Sequence, residues 1–245
     1  MSIVTLSGLT GGGARRLGPG IAQRLGADYV DRLILTNAAR QVGATVAALD
    51  EREQRPPSRG ERFTGMLQRV LERAAVTGAA GDPYFGPSTV SLLTEEFEEL
   101  PQPTITRGHE LEDEKYHDAL SHVIHNLAEA GNVVVVGRGG AVLLKDVPTA
   151  LRVGTVADWE DRVARVMEVD RLERAEAEKT ITARDEARAY YYKRYFDLDD
   201  PDAPELYHMV LNTSEMDIDY ATDLVVDAAH ALEEGRLSPK DPVAP

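Results

Sequence analysis

The sequence predicts an α/β fold with a parallel sheet, and three features predict it. Ile3 to Leu6 is a short apolar, β-branched run that is typical of a buried strand. A glycine-rich turn follows, and then apolar residues recur at helical spacing up to Gly26, a typical helix C-cap. Val133 to Val136 is a run of four valines, which indicates a strand buried on both faces by covering helices.

The glycine-rich turn, residues 7–13, indicates phosphate binding. Gly8 and Gly13 have the spacing of the phosphate loop G-x-x-x-x-G-K-[ST], but Ala14 and Arg15 stand where that motif has lysine and Ser/Thr. The dinucleotide-binding pattern fits less well, because Arg16 stands where a third glycine is needed. Glycines let backbone N–H groups converge on an anion, and a helix N-terminus adds partial positive charge. The alternative interpretation is a flexible surface turn.

Length and composition exclude several classes of protein. The 245 residues suffice for one large domain or two small ones, and the absence of cysteine excludes disulfides and thiolate metal sites. We find no long uncharged apolar segment and no secretory signal pattern, so we expect a cytoplasmic protein without a membrane partner. The net charge of −15 argues against a nucleic-acid polymer as partner. Basic residues nevertheless cluster between Arg162 and Arg194, which favours a small phosphorylated ligand.

The remaining segments alternate between helical and strand patterns. Tyr29 to Arg32 begins the next segment after the first helix. Asp31 is either a functional residue or the N-cap of the following helix. The other predictions, in chain order, are a helix over 33–42, an amphipathic helix over 63–71, a long loop over 78–106, a helix over 112–130, a strand over 150–155, a helix over 159–167, a charged helical stretch over 170–194, a strand over 209–212, a helix over 220–232 and a disordered tail from residue 238.

Charged side chains at two places are further candidates for a site. Arg138 directly follows the valine strand, at the carboxyl edge where ligands bind in open α/β sheets. Arg184, Asp185 and Arg188 fall within one helical turn, and the aromatic residues that follow at 190–196 favour a functional role over a solvated helix with salt bridges. Three histidines share the helix over 112–130, but zinc requires three or four organised ligands, so we assign no metal site there.

Taken in order, these segments resemble the cytidylate kinase-like family of P-loop proteins, from about residue 3 to residue 232. The resemblance is carried by the strand, glycine loop and first helix up to Gly26, by YVDR at 29–32, by NVVVVGRGG at 132–140, by Arg184, Asp185 and Arg188 with the aromatic residues after them, and by LNTS at 211–214.

The resemblance implies a P-loop NTPase-like three-layer fold with a parallel sheet of about five strands. A single domain over 1–236 would carry a helical acceptor insert at about 45–110 and a lid at about 168–200, with a disordered tail over 237–245. The ATP phosphates would be held by Gly8, Thr10, Gly11, Gly12, Gly13, Ala14, Arg15 and Arg16. The acceptor would be held by Asp31, Arg32, Arg138, Asp185 and Arg188, and the catalytic residues would be Arg15, Arg138 and Arg184.

The implied activity is Mg²⁺-dependent transfer of the ATP γ-phosphoryl group to a small acceptor such as CMP. One alternative is a kinase of another small phosphorylated or hydroxylated acceptor, with specificity set by the insert. The other is a nucleotide-binding regulatory protein with little turnover, because the loop has neither the lysine nor the hydroxyl residue of the motif. Ser7, Thr10 and Asp31 are the candidates for placing the metal, and none is assigned as a ligand. The oligomeric state stays open.

Overall fold

A computed structural model of the chain describes residues 2–31 and 107–237, and it describes side chains in the second range from Tyr116 onward. The strands are β1 (Ile3–Gly8), β2 (Asp28–Val30), β3 (Val133–Val136), β4 (Ala150–Val156) and β5 (Met209–Asn212). The helices are α1 (Ala14–Leu25), α2 (Arg107–Ala130), α3 (Gly140–Leu143), α4 (Trp159–Asp170), α5 (Arg174–Phe196) and α6 (Ile218–Glu233), with a 3₁₀ turn at Pro204–Leu206.

The five strands form one parallel sheet in the order β2-β3-β1-β4-β5. In its register, Val4 of β1 pairs with Val134 of β3 on one side and with Leu151 of β4 on the other. Because all strands run the same way, their carboxyl ends share one edge. β1 lies at the centre of the sheet, where the strand order changes direction, and ligands of open α/β folds bind beyond the carboxyl edge at such a point. The predicted parallel sheet of five strands is confirmed.

One face of the sheet packs against α1 and α6. Alternate strand residues, including Val4 and Leu6 of β1, join Leu17 and Ile21 of α1 in one buried cluster, to which α6 contributes Val225. A Cβ at Gly18 would lie 3.1 Å from a methyl group of Val136, so glycine lets α1 approach the sheet closely. This packing fixes the N-terminus of α1 at the carboxyl edge of β1.

The opposite face of the sheet is also covered. The residues of β1 from Ile3 to Ser7 and all residues of β3 are buried, as the run of valines predicts. A Cβ on Gly140 of α3 would lie 3.4 Å from Val135 and 3.6 Å from Thr5, so this short helix lies on that face.

The chain divides into two compact units. Among the described residues, the first contains 2–31, 127–162 and 200–237, and the second contains 107–126 and 163–199. In the second unit α4 and α5 pack through a small cluster of Val163, Val166, Ala177 and Ile181. The single domain with an insert and a lid stays a prediction.

Several element boundaries differ from the predicted ones. α2 begins at Arg107 rather than at residue 112, and the predicted charged stretch over 170–194 is broken after Asp170. Arg171 adopts a left-handed backbone (φ 55°) and α5 begins at Arg174. The predicted helix ended at residue 167 and the predicted charged stretch began at residue 170, so the predicted boundary lies a few residues too early, because neither glycine nor proline marks it.

Other predicted segments lie outside the described residues: the helices over 33–42 and 63–71, the loop over 78–106 and the tail from residue 238. Among the described helices, none combines the length and apolarity that a membrane span requires.

Candidate phosphate-binding site

The glycine turn connects the carboxyl end of β1 to the N-terminus of α1. Gly11 and Gly13 adopt positive φ angles of 77° and 100°, and Gly13 caps the helix without a side-chain hydrogen bond. The Gly12 N–H donates to the Leu9 carbonyl oxygen at 2.8 Å, which closes the turn. A helix N-terminus that no side chain caps, at the end of a tight glycine turn, is the geometry that binds anions.

Neighbouring strands leave no room for side chains on this turn. A Cβ on Gly8 would collide with Thr155 of β4, and one on Gly13 would lie 2.6 Å from the Thr213 methyl group. A Cβ on Gly12 would lie 2.8 Å from the Leu9 carbonyl oxygen. Glycine is therefore required by close packing as well as by backbone angles, and a freely flexible surface turn does not describe these residues.

Three side chains hold the carbonyl oxygens of the turn. Thr155 Oγ1 donates to the Ser7 carbonyl at 3.2 Å, and Thr213 Oγ1 donates to the Gly12 carbonyl at 3.1 Å. Arg162 Nε donates to the Thr10 carbonyl at 2.8 Å. Thr155 lies on β4, Arg162 on α4, and Thr213 directly after β5. These three elements together fix the backbone of the turn.

Arg15 and Arg16 occupy the first turn of α1, together with Ala14. Arg15 forms an ion pair with Asp31, with 3.3 Å between Nη2 and Oδ2, whereas Arg16 is exposed. Asp31 is only 8% exposed and lies directly after β2, so this carboxylate belongs to the surroundings of the glycine turn. Its alternative role as an N-cap concerns a predicted helix that lies outside the described residues, and Arg32 lies outside them too.

Arg138 lies at the carboxyl edge of the sheet, immediately after β3. It adopts a left-handed backbone with φ 53°, between Gly137 at 80° and Gly139 at 74°. The Gly137 N–H donates to the Leu6 carbonyl of β1 at 2.8 Å, which ties this turn to the strand that precedes the glycine turn. The structure therefore brings together, in the first unit, residues 8–16, Asp31 and the sheet edge that carries Arg138.

The other predicted site residues, Arg184, Asp185 and Arg188, lie on α5 in the second unit. Arg184 Nη1 pairs with Asp170 Oδ2 at 2.6 Å, and these side chains are only 17% and 9% exposed. The Arg188 guanidinium lies over the Tyr192 ring, 4.9 Å from its centroid. The first contact joins α4 to α5, so Arg184 has a structural partner within its own unit.

The aromatic residues after Arg188 pack mainly against one another and against His117 of α2. The His117 ring stacks on Tyr195 with 4.2 Å between centroids, and its Nδ1 lies 3.1 Å from the Tyr191 hydroxyl. Burial lowers the pKa of His117, and the nearby Asp118 carboxylate opposes that shift. The sequence pattern of these aromatic residues favoured a functional role. In the structure Tyr190 alone among them is largely exposed, and the others pack within the second unit.

A sequence model of the cytidylate kinase-like family matches residues 3–215. The chain belongs to the cytidylate kinase-like family. A search of curated protein sequences finds no significant match. Among solved structures, an uncharacterized protein from Eubacterium ventriosum has a TM-score of 0.59 at 14% identity, over 94% of this chain and 99% of that one.

Two shikimate kinases are more distant in structure. The enzyme from Bacteroides thetaiotaomicron has a TM-score of 0.45 at 15% identity, over 95% of this chain and 98% of that one. The enzyme from Acinetobacter baumannii, solved in complex with shikimate, has a TM-score of 0.45 at 13% identity, over 94% of both chains. Membership of the family gives this chain a nucleotide-binding, kinase-type fold.

For this family member, sequence reasoning missed the three residues that hold the glycine turn. Thr155 entered the sequence analysis only as the last residue of a predicted strand, Thr213 only within the LNTS segment, and Arg162 only as part of a basic cluster. The signal that could have identified the two threonines is their position at the carboxyl ends of β4 and β5, on the sheet edge that carries the turn. The sequence of a helix contains no comparable signal for Arg162.

Proposed function

We propose that this chain is an ATP-dependent phosphotransferase that transfers the γ-phosphoryl group to a small acceptor such as a CMP-like nucleoside monophosphate. The observation that carries the proposal is the geometry of the glycine turn. Side chains of other elements donate hydrogen bonds to its carbonyl oxygens, and α1 begins directly after it. Phosphoryl transfer depends on positioning and positive charge rather than on covalent chemistry by the protein. A family of kinase-like proteins supplies the same expectation.

Charge at the start of α1 favours an anionic ligand there. Two arginines lie at the positive end of the helix dipole, where a cation is disfavoured by roughly 0.3–1 kcal/mol and an anion is favoured by the same order. Asp31 offsets only part of this charge, through Arg15. A triphosphate would offset the rest, with Arg15 supplying the charge that lysine supplies in the usual loop.

Mg²⁺ would accompany the triphosphate and neutralise charge on its β- and γ-phosphate oxygens. Within the described residues, no three His, Cys, Asp or Glu side chains gather into a metal-binding group. Mg²⁺ commonly takes only one or two carboxylates and completes its shell with phosphate oxygens and water, so the carboxylate of Asp31 fits that requirement. The hydroxyl groups of Ser7 and Thr10 are the other candidates, although Ser7 is buried.

On the acceptor side, Arg138 with Arg188 and Arg32 would bind the phosphate of the monophosphate. Guanidinium groups match phosphate geometry with two parallel hydrogen bonds. Asp185 would accept a hydrogen bond from an amino group of a cytosine-type base. For Arg184 to be catalytic, its guanidinium would have to bind the transferred phosphate. It would do so either with its ion pair to Asp170 intact or after that ion pair breaks.

A regulatory nucleotide-binding protein is the second candidate, and one observation favours it. Ala14 offers no charge, and the guanidinium of Arg15 already pairs with Asp31. The loop then binds triphosphate through backbone N–H groups without efficient transfer. A kinase for a different acceptor is distinguished only by the acceptor itself.

The deciding experiment combines binding with turnover. We would measure affinity for a non-hydrolysable ATP analogue by calorimetry, and ADP release with Mg-ATP and a panel of nucleoside monophosphates and hydroxylated small molecules. ADP release that depends on one acceptor supports the kinase and identifies its substrate. Tight binding without turnover on any acceptor favours the regulatory protein, and absence of nucleotide binding overturns both.

A further inference from the structure

Arg162 is a buried cation that the proposed chemistry does not use. It lies in the first turn of α4 and is only 6% exposed. Its Nε donates to the Thr10 carbonyl oxygen at 2.8 Å, and its guanidinium carbon lies 5.3 Å from the centroid of the Trp159 ring. Burying a guanidinium costs free energy unless hydrogen bonds and neighbouring groups compensate for lost water. The hydrogen bond to the Thr10 carbonyl and the contact with the Trp159 ring provide part of that compensation.

The hydrogen bond to Thr10 also orients the next amide. The Thr10 carbonyl and the Gly11 N–H belong to one planar trans peptide, in which the two groups point in opposite directions. Because Arg162 holds the carbonyl towards α4, the Gly11 N–H is directed away from α4. Thr213 does the same for the next peptide but one, since it holds the Gly12 carbonyl and thereby orients the Gly13 N–H.

Packing prevents the turn from relaxing towards Arg162. A Cβ built on Gly11 would lie 2.8 Å from the Arg162 carbonyl oxygen and 2.9 Å from its Cα atom. The backbone of the turn and the backbone of α4 are therefore already in contact. The side chain of Arg162 and the backbone of the same residue together fix the position and the rotation of the Thr10–Gly11 peptide.

We propose that Arg162 is a positioning residue of the glycine turn, which aims the Gly11 N–H at the triphosphate chain without contacting the ligand itself. The proposal rests on the proposed function, because it assumes that the glycine turn binds phosphate. It assigns to Arg162 an effect on the phosphate chain and none on the nucleoside. That distinction makes the role testable.

The test compares two probes, inorganic tripolyphosphate and a non-hydrolysable ATP analogue, by calorimetry on the full chain. Arg162→Met keeps an apolar stem of similar length but removes the donor. We expect its affinity for both probes to fall by roughly tenfold or more, and by the same factor, because both depend on the oriented amide. Arg162→Lys retains a charged donor on a flexible stem, and we expect it to restore most of the loss for both probes.

Arg152→Met is the matched control. Arg152 is also a partly buried arginine of the first unit that donates to backbone carbonyls, from Nε to Leu206 at 2.9 Å and from Nη1 to Lys145 at 3.0 Å. It lies near the other end of β4, so its loss should lower stability without changing the affinity for either probe by more than about twofold. The control separates a general loss of stability from a change in the turn.

Each outcome has a definite reading. If Arg162→Met binds tripolyphosphate as the parent does, or loses affinity only for the ATP analogue, the positioning role is overturned. If the parent binds neither probe, the proposed function itself fails. The chain has one tryptophan, Trp159, beside Arg162, so its fluorescence shows directly whether this region stays folded. If Arg162→Met unfolds, Arg162→Lys and Arg162→Leu decide: equal losses for both probes with Leu, which has no donor, and recovery with Lys support the role, and any other pattern overturns it.

Discussion

At the scale of single residues, Arg138 is one of four non-glycine residues with a positive φ among the described residues, together with Asn132, Arg171 and Asp197. It occupies the left-handed region between two glycines that do the same. A non-glycine residue in this conformation costs on the order of 1–3 kcal/mol, and such strain is concentrated at functional sites. Because this arginine also lies at the carboxyl edge of the sheet, which carries the glycine turn, we expect its side chain to serve ligand binding.

Arg138→Gly should separate that role from stability. We expect the free energy of unfolding to stay the same or to rise by about 1 kcal/mol, because glycine adopts this φ without strain. We expect affinity for a nucleoside monophosphate to fall by roughly 1.5–3 kcal/mol, the usual value of a charged hydrogen bond. Urea denaturation and calorimetry measure the two quantities.

Asn132→Gly is the control for this prediction. Asn132 has φ 49° and lies before the other end of β3, where its side chain accepts a hydrogen bond from the Ser2 N–H. The substitution also places glycine at a left-handed position, but it does not touch the carboxyl edge, so monophosphate affinity should not change. Unchanged affinity in Arg138→Gly would show that this arginine is only a surface charge.

Arg15→Ala tests whether arginine replaces the missing lysine. We expect kcat to fall more than donor affinity, because backbone N–H groups bind the ground state and the guanidinium stabilises charge during transfer. Arg24→Ala, on the last turn of the same helix, removes exposed ion pairs with Asp219 and Asp223 and should leave both quantities unchanged. Steady-state kinetics and calorimetry measure the two quantities. Parental turnover in Arg15→Ala would show that Arg15 does not take the place of the lysine.

At the scale of elements, the glycine turn should tolerate no side chain at its centre. Gly12→Val places a Cβ 2.8 Å from the Leu9 carbonyl oxygen and 3.3 Å from that of Thr155, so the turn must move. We expect loss of detectable binding of the ATP analogue while far-UV circular dichroism stays that of the parent, because the buried core contacts lie elsewhere.

Gly26→Ala is the matched variant for the turn. Gly26 also has a positive φ, 61°, but a Cβ there would meet nothing within 4 Å. It should cost about 1 kcal/mol of stability and leave nucleotide binding unchanged. Parental affinity in Gly12→Val would refute phosphate binding by the turn.

Sequence predicted those elements whose signal is local. The β-branched runs of β1 and β3 and the helical spacing up to Gly26 mark strand, strand and helix without help from the rest of the chain. The carboxyl-edge rule correctly placed Arg138 and the glycine turn on one side of the sheet. The contacts of Thr155, Thr213 and Arg162 with the turn span about 150 to 200 residues, and no local pattern encodes them.

The boundary between α4 and α5 shows the same limit in another form. The sequence predicted a helix ending at residue 167 and a separate charged stretch from residue 170, whereas α4 continues to Asp170 and α5 begins at Arg174, with no glycine or proline between them. The contact between Asp170 and Arg184, and the cluster of Val166 with Ile181, hold α4 and α5 together in the second unit. Tertiary contacts, rather than turn residues, therefore account for the position of this break.

At the scale of the whole molecule, the net charge of the chain is negative, whereas the side chains at the candidate phosphate site are mainly positive. The chain carries a net charge of −15, yet two arginines lie at the first turn of α1 and a third lies at the same edge of the sheet. An acidic surface repels phosphorylated ligands at long range, so binding must come from short-range hydrogen bonds and the helix terminus. This is consistent with a small anionic ligand rather than a long polyanion.

The pH dependence of stability follows from two histidines, one in each unit. The pKa of His117 is lowered by burial, and the pKa of His208 is lowered by burial and then by the charge of Arg152. His208 Nδ1 also accepts the Arg152 backbone N–H at 3.0 Å, which opposes a proton on that nitrogen. Both rings are therefore held neutral in the folded protein more strongly than in the unfolded chain.

The sign of the effect follows from proton counting. Below the ordinary histidine pKa of 6.5 the unfolded chain binds protons that the folded protein does not, so the unfolding free energy falls as pH falls. The stabilisation is complete above pH 6.5 and is lost as pH drops through the two lowered pKa values. Urea denaturation between pH 7.5 and pH 5 should show this decline in the parent and a shallower one in the His117→Gln/His208→Gln double variant. Parallel slopes for the two proteins would contradict the assignment of the pH dependence to these rings.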